Sequence, residues 1–103
     1  MKTSLSSKYF YSIFKSSEIL KTPNIIYRYQ KVLTRKSDGL GFIISRRLGG
    51  AVERNRFKRI LRGLYFETFI KNKIKIAVII SPKTIKLNKE EIVKSFELLK
   101  KTI

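Results

Sequence analysis

The chain is organised around residues 46–62, which read RRLGGAVERNRFKRILR. Seven of these seventeen side chains are arginine or lysine, and two glycines stand near the start of the stretch. After the glycines, apolar residues recur at the spacing of a helix: Phe57, Ile60, Leu61 and Leu64. The stretch therefore predicts a helix with an apolar face and a basic face, and the rest of the chain is the scaffold for it.

The predicted helix runs from about Ala51 to Ile70. At about 100° per residue, Arg54, Lys58 and Arg62 step around one contiguous arc, with Arg59 beside them. A solvated helix face normally interleaves both signs of charge, whereas this arc carries one sign. Arginine dominates here and lysine elsewhere, and the planar guanidinium matches phosphate oxygens bidentately. We interpret the arc as a phosphate-binding surface.

The start of this helix has its own predicted features. Gly49 and Gly50 predict a turn that exposes backbone N–H groups, a ready site for an anion, although Glu53 adds one opposing charge. Asn55 is either an exposed bystander or holds the loop through side-chain to backbone hydrogen bonds. The glycine spacing is not that of a GxxxxGK[ST] phosphate-binding loop, which disfavours an NTPase.

Composition points to a polyanionic partner. The 103 residues carry 24 Lys and Arg against 7 Asp and Glu, a formal net charge of +17. Such a charge opposes compaction, and it usually marks a protein that binds nucleic acid, with an anionic membrane a distant second. At this length we expect one domain, residues 1–103, with a modest core.

The same composition excludes several chemistries. Cysteine and histidine are absent, which excludes disulfides, Cys/His metal sites and triads with a histidine base. The carboxylates are scattered, and the adjacent Glu90 and Glu91 point in different directions on a helix, so a stand-alone nuclease is disfavoured. With no signal-peptide core and no apolar run near the roughly 20 residues that span a bilayer, we expect a cytoplasmic protein.

A first helix is predicted over residues 7–20, because Phe10, Ile13 and Phe14 recur at helical spacing and a breaker cluster follows around Pro23. The plain interpretation of Phe10 and Phe14 is core packing. The functional interpretation is that both rings line a cleft where bases stack.

A strand is predicted over residues 25–34, where period-2 alternation places Tyr27 and Tyr29 on one face. Two tyrosines on that face indicate that it is not wholly buried. Residues 35–39 end in Asp-Gly, a strong hairpin signal, so residues 40–45 are expected to be the antiparallel and central partner strand.

Three further features complete the predicted order. Gly41 inside the second strand indicates a bulge or a close backbone approach. Residues 74–80 predict a buried strand, and Asn88 predicts the N-cap of a final helix that ends near Lys101. The chain is thus of the α+β class, a small single-layer mixed sheet packed by helices in the order α-β-β-α-β-α, which allows one extra short strand.

Residues 45–62, SRRLGGAVERNRFKRILR, resemble the signature of the bacterial ribonuclease P protein family. That signature has a serine, two basic residues, an apolar residue, then G-x-A-V-x-R-N-R-x-K-R and a further arginine. The resemblance extends over most of the chain, including the aromatic pair of the first helix. It implies a left-handed β-α-β crossover, against the usual right-handed rule.

The resemblance also implies a function. The protein would be a subunit of an endoribonuclease that removes the 5′ leader of precursor tRNA, with the hydrolysis performed by a catalytic RNA and by Mg²⁺ bound mainly to that RNA. It implies no catalytic residue in the protein, no membrane, and one protein monomer on each RNA. The residues that match the RNA-contacting motif are Arg46, Arg47, Arg54, Asn55, Arg56, Lys58, Arg59 and Arg62.

A second implied surface is a cleft between the first helix and the sheet, which receives the single-stranded leader. Phe10, Phe14 and one of Tyr27 and Tyr29 match its aromatic residues. Two other classes remain for so basic a chain: a structural RNA-binding protein of the ribosomal type, and a DNA-architectural protein. Neither accounts for the motif.

Overall fold

The computed structural model describes residues 4–34 and 37–103. Its elements, in chain order, are α1 (Ser7–Ser16), β1 (Glu18–Lys21), β2 (Ile25–Lys31), β3 (Gly39–Phe42), α2 (Ala51–Tyr65), β4 (Ile76–Pro82) and α3 (Lys89–Thr102). A 3₁₀ turn over Arg46–Leu48 precedes α2, and a π-helical segment over Phe66–Ile70 follows it. The fold is α+β, as predicted, and β1 is the extra short strand that the predicted order allowed.

The strands of the described chain form one mixed sheet in the order β1-β2-β4-β3. Its centre is β4, which pairs antiparallel with β2 and parallel with β3. Residues Ile76 to Ile80 are all fully buried, as expected for a strand with a neighbour on each edge and helices on both faces. The outer edge of β3 is partly covered by the N-terminal segment, where the backbone N–H of Leu5 donates to Leu40 O at 3.0 Å.

The predicted hairpin between residues 25–34 and 40–45 is wrong. Because β4 lies between β2 and β3, the strand beginning at Gly39 is an edge strand parallel to β4 and not a central antiparallel one. Residues 35 and 36 of the predicted turn lie outside the described part of the chain. Gly39 has another role: its φ is 132°, and a Cβ there would lie 2.7 Å from the backbone of Leu5. It permits the close approach of the N-terminal segment.

The first helix is shorter than predicted. It ends at Ser16, and residues 18–20, expected to be its last turn, form β1 together with Lys21. This strand pairs antiparallel with β2, so the breaker cluster around Pro23 connects two strands and does not end a helix. Four residues are too few for periodicity to distinguish a helical turn from a short strand, and the hydrogen-bond ladder with β2 decides the outcome.

The larger core lies between the sheet and the helices α2 and α3. Its fully or almost fully buried helical members are Phe57, Leu61, Tyr65, Phe69, Ile92, Phe96 and Leu99. The smaller core lies on the other face of the sheet, where Ile13 of α1 packs with Ala77 and Ile79. Successive side chains of β4 point to opposite faces of the sheet, so the strand contributes to both cores. Val78 and Ile80 belong to the larger core, and Ala77 and Ile79 belong to the smaller one. One helix therefore covers one face, and two helices cover the other.

The elements β3, α2 and β4 form a β-α-β unit, because β3 and β4 are adjacent and parallel and α2 connects them. The left-handed sense of this crossover stays a prediction from the resemblance. The helical region covers the predicted span from Ala51 to Ile70, with its last five residues as π-helix. Its end is tied to the sheet by the Tyr65 hydroxyl, which donates to Ile76 O at 2.7 Å.

The final helix begins where the sequence predicts. Asn88 Oδ1 accepts a hydrogen bond from the backbone N–H of Glu91 at 2.8 Å, and the backbone N–H of Asn88 donates to the Glu91 carboxylate at 3.1 Å. This reciprocal pair is a capping box. Over the two described ranges, none of the helices combines the length and apolarity needed to cross a membrane.

Candidate nucleic-acid interface

The basic side chains of α2 face away from the core. The buried side of the helix consists of Phe57, Leu61 and Tyr65. On the other side, exposed or half-buried residues form one contiguous surface, which we call the basic arc: Arg54, Asn55, Lys58, Arg59 and Arg62. The predicted separation of an apolar and a basic face on this helix is confirmed.

Carboxylates do not neutralise the basic arc. The salt bridges between described side chains join Lys71 to Glu67 and Lys94 to Glu90, and both pairs lie outside the arc. Across residues 4–34 and 37–103, no arginine or lysine of the arc forms an ion pair. Cations gathered in this way raise the local positive potential, which attracts a polyanion.

An aromatic ring of the sheet positions two cations of the arc. Lys58 Nζ lies 6.0 Å and Arg62 Cζ 5.8 Å from the centroid of the Phe42 ring. This ring packs edge-on against Phe57, with centroids 6.5 Å apart, so the core holds it in place. Cation–π attraction keeps both side chains at the border of α2 and β3, with polar N–H groups available to an anion.

The start of α2 differs from the predicted anion site. The backbone N–H of Gly50 donates to Glu53 Oε1 at 3.1 Å, and that of Gly49 donates to Arg46 O at 3.4 Å. The prediction that these two amides are exposed to an anion is wrong, because Glu53 supplies the negative charge that the helix N-terminus favours. Gly49 lies close to two side chains, since a Cβ there would lie 3.0 Å from Ile85 Cδ1 and 3.1 Å from Glu53 Oε1.

The two arginines before the glycine pair extend the basic surface. Arg46 and Arg47 are exposed on the 3₁₀ turn. Ser45 caps this turn, because its Oγ accepts a hydrogen bond from the backbone N–H of Arg47 at 3.3 Å. The serine at the start of the motif therefore fixes the backbone that presents the basic pair.

The central R-N-R residues occupy three different environments. Arg54 lies on the arc, with Nε 3.4 Å from Gly50 O. The exposed side chain of Asn55 makes no hydrogen bond to the residues that the structure describes, which does not support a role in holding the loop. Arg56 points elsewhere, and its Nη1 donates to Leu87 O at 3.1 Å, which joins α2 to the loop before α3.

A second surface lies between α1 and the sheet. A Cβ on Gly41 would lie only 2.7 Å from Cε2 of Phe10, so the close approach predicted at this glycine is made by an aromatic ring. The Arg28 guanidinium lies 4.3 Å from the ring centroid of Phe14. Both phenylalanines are half-buried. Two aromatic rings and a cation on one face suit a base and its phosphate, and we call Phe10, Phe14 and Arg28 the α1 cleft.

Neither tyrosine of β2 reaches the α1 cleft, so that part of the prediction is wrong. Tyr27 is fully buried on the opposite face of the sheet, and its hydroxyl lies 3.0 Å from Ser95 Oγ of α3. Burial raises the pKa of Tyr27 to about 12. Tyr29 packs beside the same core, and burial, together with Glu18, raises its pKa as well.

Arg28 is the residue that sequence reasoning missed in the α1 cleft. The signal was present in the alternation of β2, which places Arg28 on the face opposite Tyr27 and Tyr29. The two tyrosines predicted for the cleft lie on the face of β2 that packs against the larger core. The correct face depends on which helices cover it, and the sequence pattern does not specify this.

A resident metal site is not supported by the donor groups. Within the described residues, no group of three or more carboxylates converges on one point. The described side chains thus offer no cluster of three carboxylates that would hold a Mg²⁺ ion by itself.

Comparisons with known proteins identify the fold and the family. The family model of ribonuclease P matches residues 3–103. The solved ribonuclease P protein from Thermotoga maritima is similar, with a TM-score of 0.74 and 22% identity over 99% of this chain and 98% of that chain. The Staphylococcus aureus ribonuclease P protein gives 0.74 and 22%, over 99% and 94%. Curated protein sequences give no significant match. Because the family match spans nearly the whole chain, the chain belongs to the ribonuclease P family.

Proposed function

We propose that the chain is the protein subunit of a bacterial ribonuclease P, which binds the catalytic RNA and assists removal of the 5′ leader from precursor tRNA. The observation that carries the proposal is the basic arc, which presents the family motif to solvent without a counter-charge from the described carboxylates. Membership of the ribonuclease P family supports ribonuclease P RNA as the polyanion that this surface binds.

In this proposal the protein docks and the RNA catalyses. The chain has no histidine or cysteine to act as base or nucleophile, and the described carboxylates do not gather around one point. The Mg²⁺ ions belong mainly to the partner RNA. The protein's own contribution is positive charge and positioning, which lower the repulsion between the RNA and its substrate.

In this proposal the basic arc and the α1 cleft bind different RNA segments. The basic arc, with Arg46 and Arg47, contacts phosphates of the catalytic RNA. The α1 cleft takes the single-stranded leader, with bases on the Phe10 and Phe14 rings and the Arg28 guanidinium beside a phosphate. In this assignment Arg28 takes the place that the resemblance gave to a tyrosine. We further propose one protein monomer on each RNA, in the cytoplasm.

Binding specificity tests the proposal against the ribosomal alternative. The affinity of the protein is measured for a bacterial ribonuclease P RNA and for a ribosomal RNA fragment of equal length, at the same salt and Mg²⁺ concentrations. We expect tighter binding to ribonuclease P RNA. Equal affinity for the two RNAs would favour a general RNA-binding protein.

A further inference from the structure

A groove between the C-terminal half of α2 and the start of α3 lies beyond the basic arc and the α1 cleft. Its volume is about 530 Å³, which falls in the roughly 300–1,000 Å³ range of clefts and cavities that bind small molecules. The lining residues are Arg59, Ile60, Gly63, Leu64, Phe66, Glu67 and Lys89. Only Arg59 also belongs to the basic arc, so the groove continues that surface toward α3.

Gly63 has no explanation in the packing of the chain itself. It is exposed in the body of α2, and a Cβ at this position would meet no described atom within 4 Å. Alanine is more favourable than glycine inside a helix, and the space for it is open. The missing side chain therefore serves no contact of the described fold, but it leaves the backbone of α2 open to close approach from the groove.

Lys89 is a second residue that does not stabilise the free protein. It is the first residue of α3, where a positive side chain opposes the helix dipole. It makes no ion pair with any residue in the described ranges. The one carboxylate in the groove, Glu67, is paired with Lys71 at 3.2 Å. Arg59 and Lys89 thus flank the groove with little opposing charge.

The floor of the groove is apolar, and its walls are held together. Ile60, Leu64 and Phe66 are half-buried and form the floor. Arg56 lies about two turns before Gly63 on nearly the same side of α2, and its hydrogen bond to Leu87 O fixes α2 against the loop that leads into α3. The groove is therefore formed before any ligand arrives.

We propose that this groove binds an unpaired nucleotide of the partner RNA. The base lies on the apolar floor at Leu64 and Phe66, the phosphate lies between Arg59 and Lys89, and the sugar-phosphate backbone passes over Gly63. An apolar and aromatic floor flanked by cations matches a nucleotide, because bases stack on such surfaces and phosphates bind cations. The inference rests on the proposed function, since it assumes that RNA is the partner.

Two substitutions of Gly63 test the groove. Gly63→Ala narrows it and Gly63→Leu fills it, and Leu98→Phe is the control, because Leu98 is 45% exposed on α3 and lies outside the groove and the motif. Thermal unfolding is measured first. We expect the Tm of Gly63→Ala to rise, because helix propensity improves, and that of Gly63→Leu not to fall. Lys89→Ala removes the cation from the start of α3 and is expected to raise or maintain the Tm.

Binding and chemical probing then give the decisive readouts. With a transcribed bacterial ribonuclease P RNA as the probe, Gly63→Leu should weaken binding roughly tenfold or more, and Gly63→Ala less. Lys89→Ala should lower the salt slope by roughly one. One unpaired nucleotide that the unsubstituted protein protects from 2′-hydroxyl acylation should become reactive in the Gly63→Leu complex, and Leu98→Phe should leave binding and protection unchanged.

The possible failures are distinguishable. If Gly63→Leu and Lys89→Ala bind like the unsubstituted protein while Arg54→Ala binds more weakly, the groove inference is wrong and the proposed function stands. If Arg54→Ala also binds normally, RNA docking through α2 is wrong. A fall in the Tm of both Gly63→Ala and Lys89→Ala would overturn the inference in a different way, since it would show that the fold itself requires these residues.

Discussion

At the scale of single residues, the basic motif contains side chains with different contacts. Arg59 is exposed on the basic arc and lines the groove toward α3, whereas Arg56 donates a hydrogen bond to Leu87 O. Arg62 and Lys58 rest beside the Phe42 ring. The motif therefore combines exposed side chains with one that joins two parts of the protein, and substitution separates the two kinds of contact.

The pair Arg59→Ala and Arg56→Ala tests this division. We expect Arg59→Ala to weaken binding to the catalytic RNA and to lower the salt slope by roughly 0.7–0.9, with an unchanged or slightly higher Tm because a repulsive cation is removed. Arg56→Ala should in addition lose about 1 kcal/mol of stability with its hydrogen bond, which lowers the Tm by about 4–8 °C in a domain of this size. Thermal unfolding and binding at several salt concentrations measure both effects. Equal Tm values in the two variants, or an unaltered slope in Arg59→Ala, would contradict the assignment.

At the scale of helices and strands, the sequence predicts the elements that have a long periodic pattern or a clear cap. It does not predict which strands pair in the sheet. Helix α2, helix α3 and strand β4 were predictable because each has a long apolar pattern or a clear cap. The pairing of β3 could not be predicted. Asp38-Gly39 carries a local signal for a hairpin with β2, whereas the fully buried β4 needs a neighbouring strand on both edges and lies between β2 and β3. Likewise the basic arc followed from the sequence, whereas the place of Arg28 in the α1 cleft required knowledge of which face α1 covers.

The contact between α1 and the sheet gives a prediction for substrate selection. Phe14→Ala removes the ring under the Arg28 guanidinium. It should reduce the preference of the assembled enzyme for precursor over mature tRNA roughly fivefold or more, because a stacking surface for the leader is lost. Binding to the catalytic RNA should change little. Tyr11→Ala is the matched control, since Tyr11 is 69% exposed on the same helix. Equal loss of affinity for precursor and mature tRNA would show that the Phe14 ring is only part of the core.

The buried Tyr27 hydroxyl of β2, which lies 3.0 Å from Ser95 Oγ of α3, predicts that stability depends on pH. Burial raises the pKa of Tyr27 to about 12 in the folded protein, against about 10 in an unfolded chain. The stability contributed by the buried phenol is therefore complete below pH 10 and is lost as the pH rises from 10 to 12, at about 1.4 kcal/mol per pH unit. Denaturant unfolding across this range should show a steeper loss for the unsubstituted protein than for Tyr27→Phe, which lacks the ionisable group. Parallel pH profiles would contradict this account.

At the scale of the whole molecule, a net charge of +17 on 103 residues must be offset by a partner or opposed by the core. The salt bridges between described side chains are exposed i,i+4 pairs, which contribute little. The motif residues, by contrast, gather on α2 and on the turn before it. We therefore expect the stability of the free protein to be linked to anion binding.

Sulfate tests this linkage. We expect the Tm to rise with sulfate concentration more than with chloride at equal ionic strength, because sulfate binds the folded basic surface. Sulfate also stabilises proteins generally by exclusion from their surface. The combined variant Arg54→Ala, Arg59→Ala is therefore the control, and it should show a smaller rise. An equal rise in the Tm of the variant and of the unsubstituted protein would show that sulfate does not act through the basic arc.

The central claim is that this protein assists a catalytic RNA and does not cleave RNA itself. The most direct measurement is cleavage of precursor tRNA by a bacterial ribonuclease P RNA at low Mg²⁺, with and without the protein, and with the protein alone. We predict strong stimulation by the protein, weaker stimulation by the Arg54→Ala, Arg59→Ala variant, and no cleavage without the RNA. Absence of stimulation, or cleavage by the protein alone, would contradict the account.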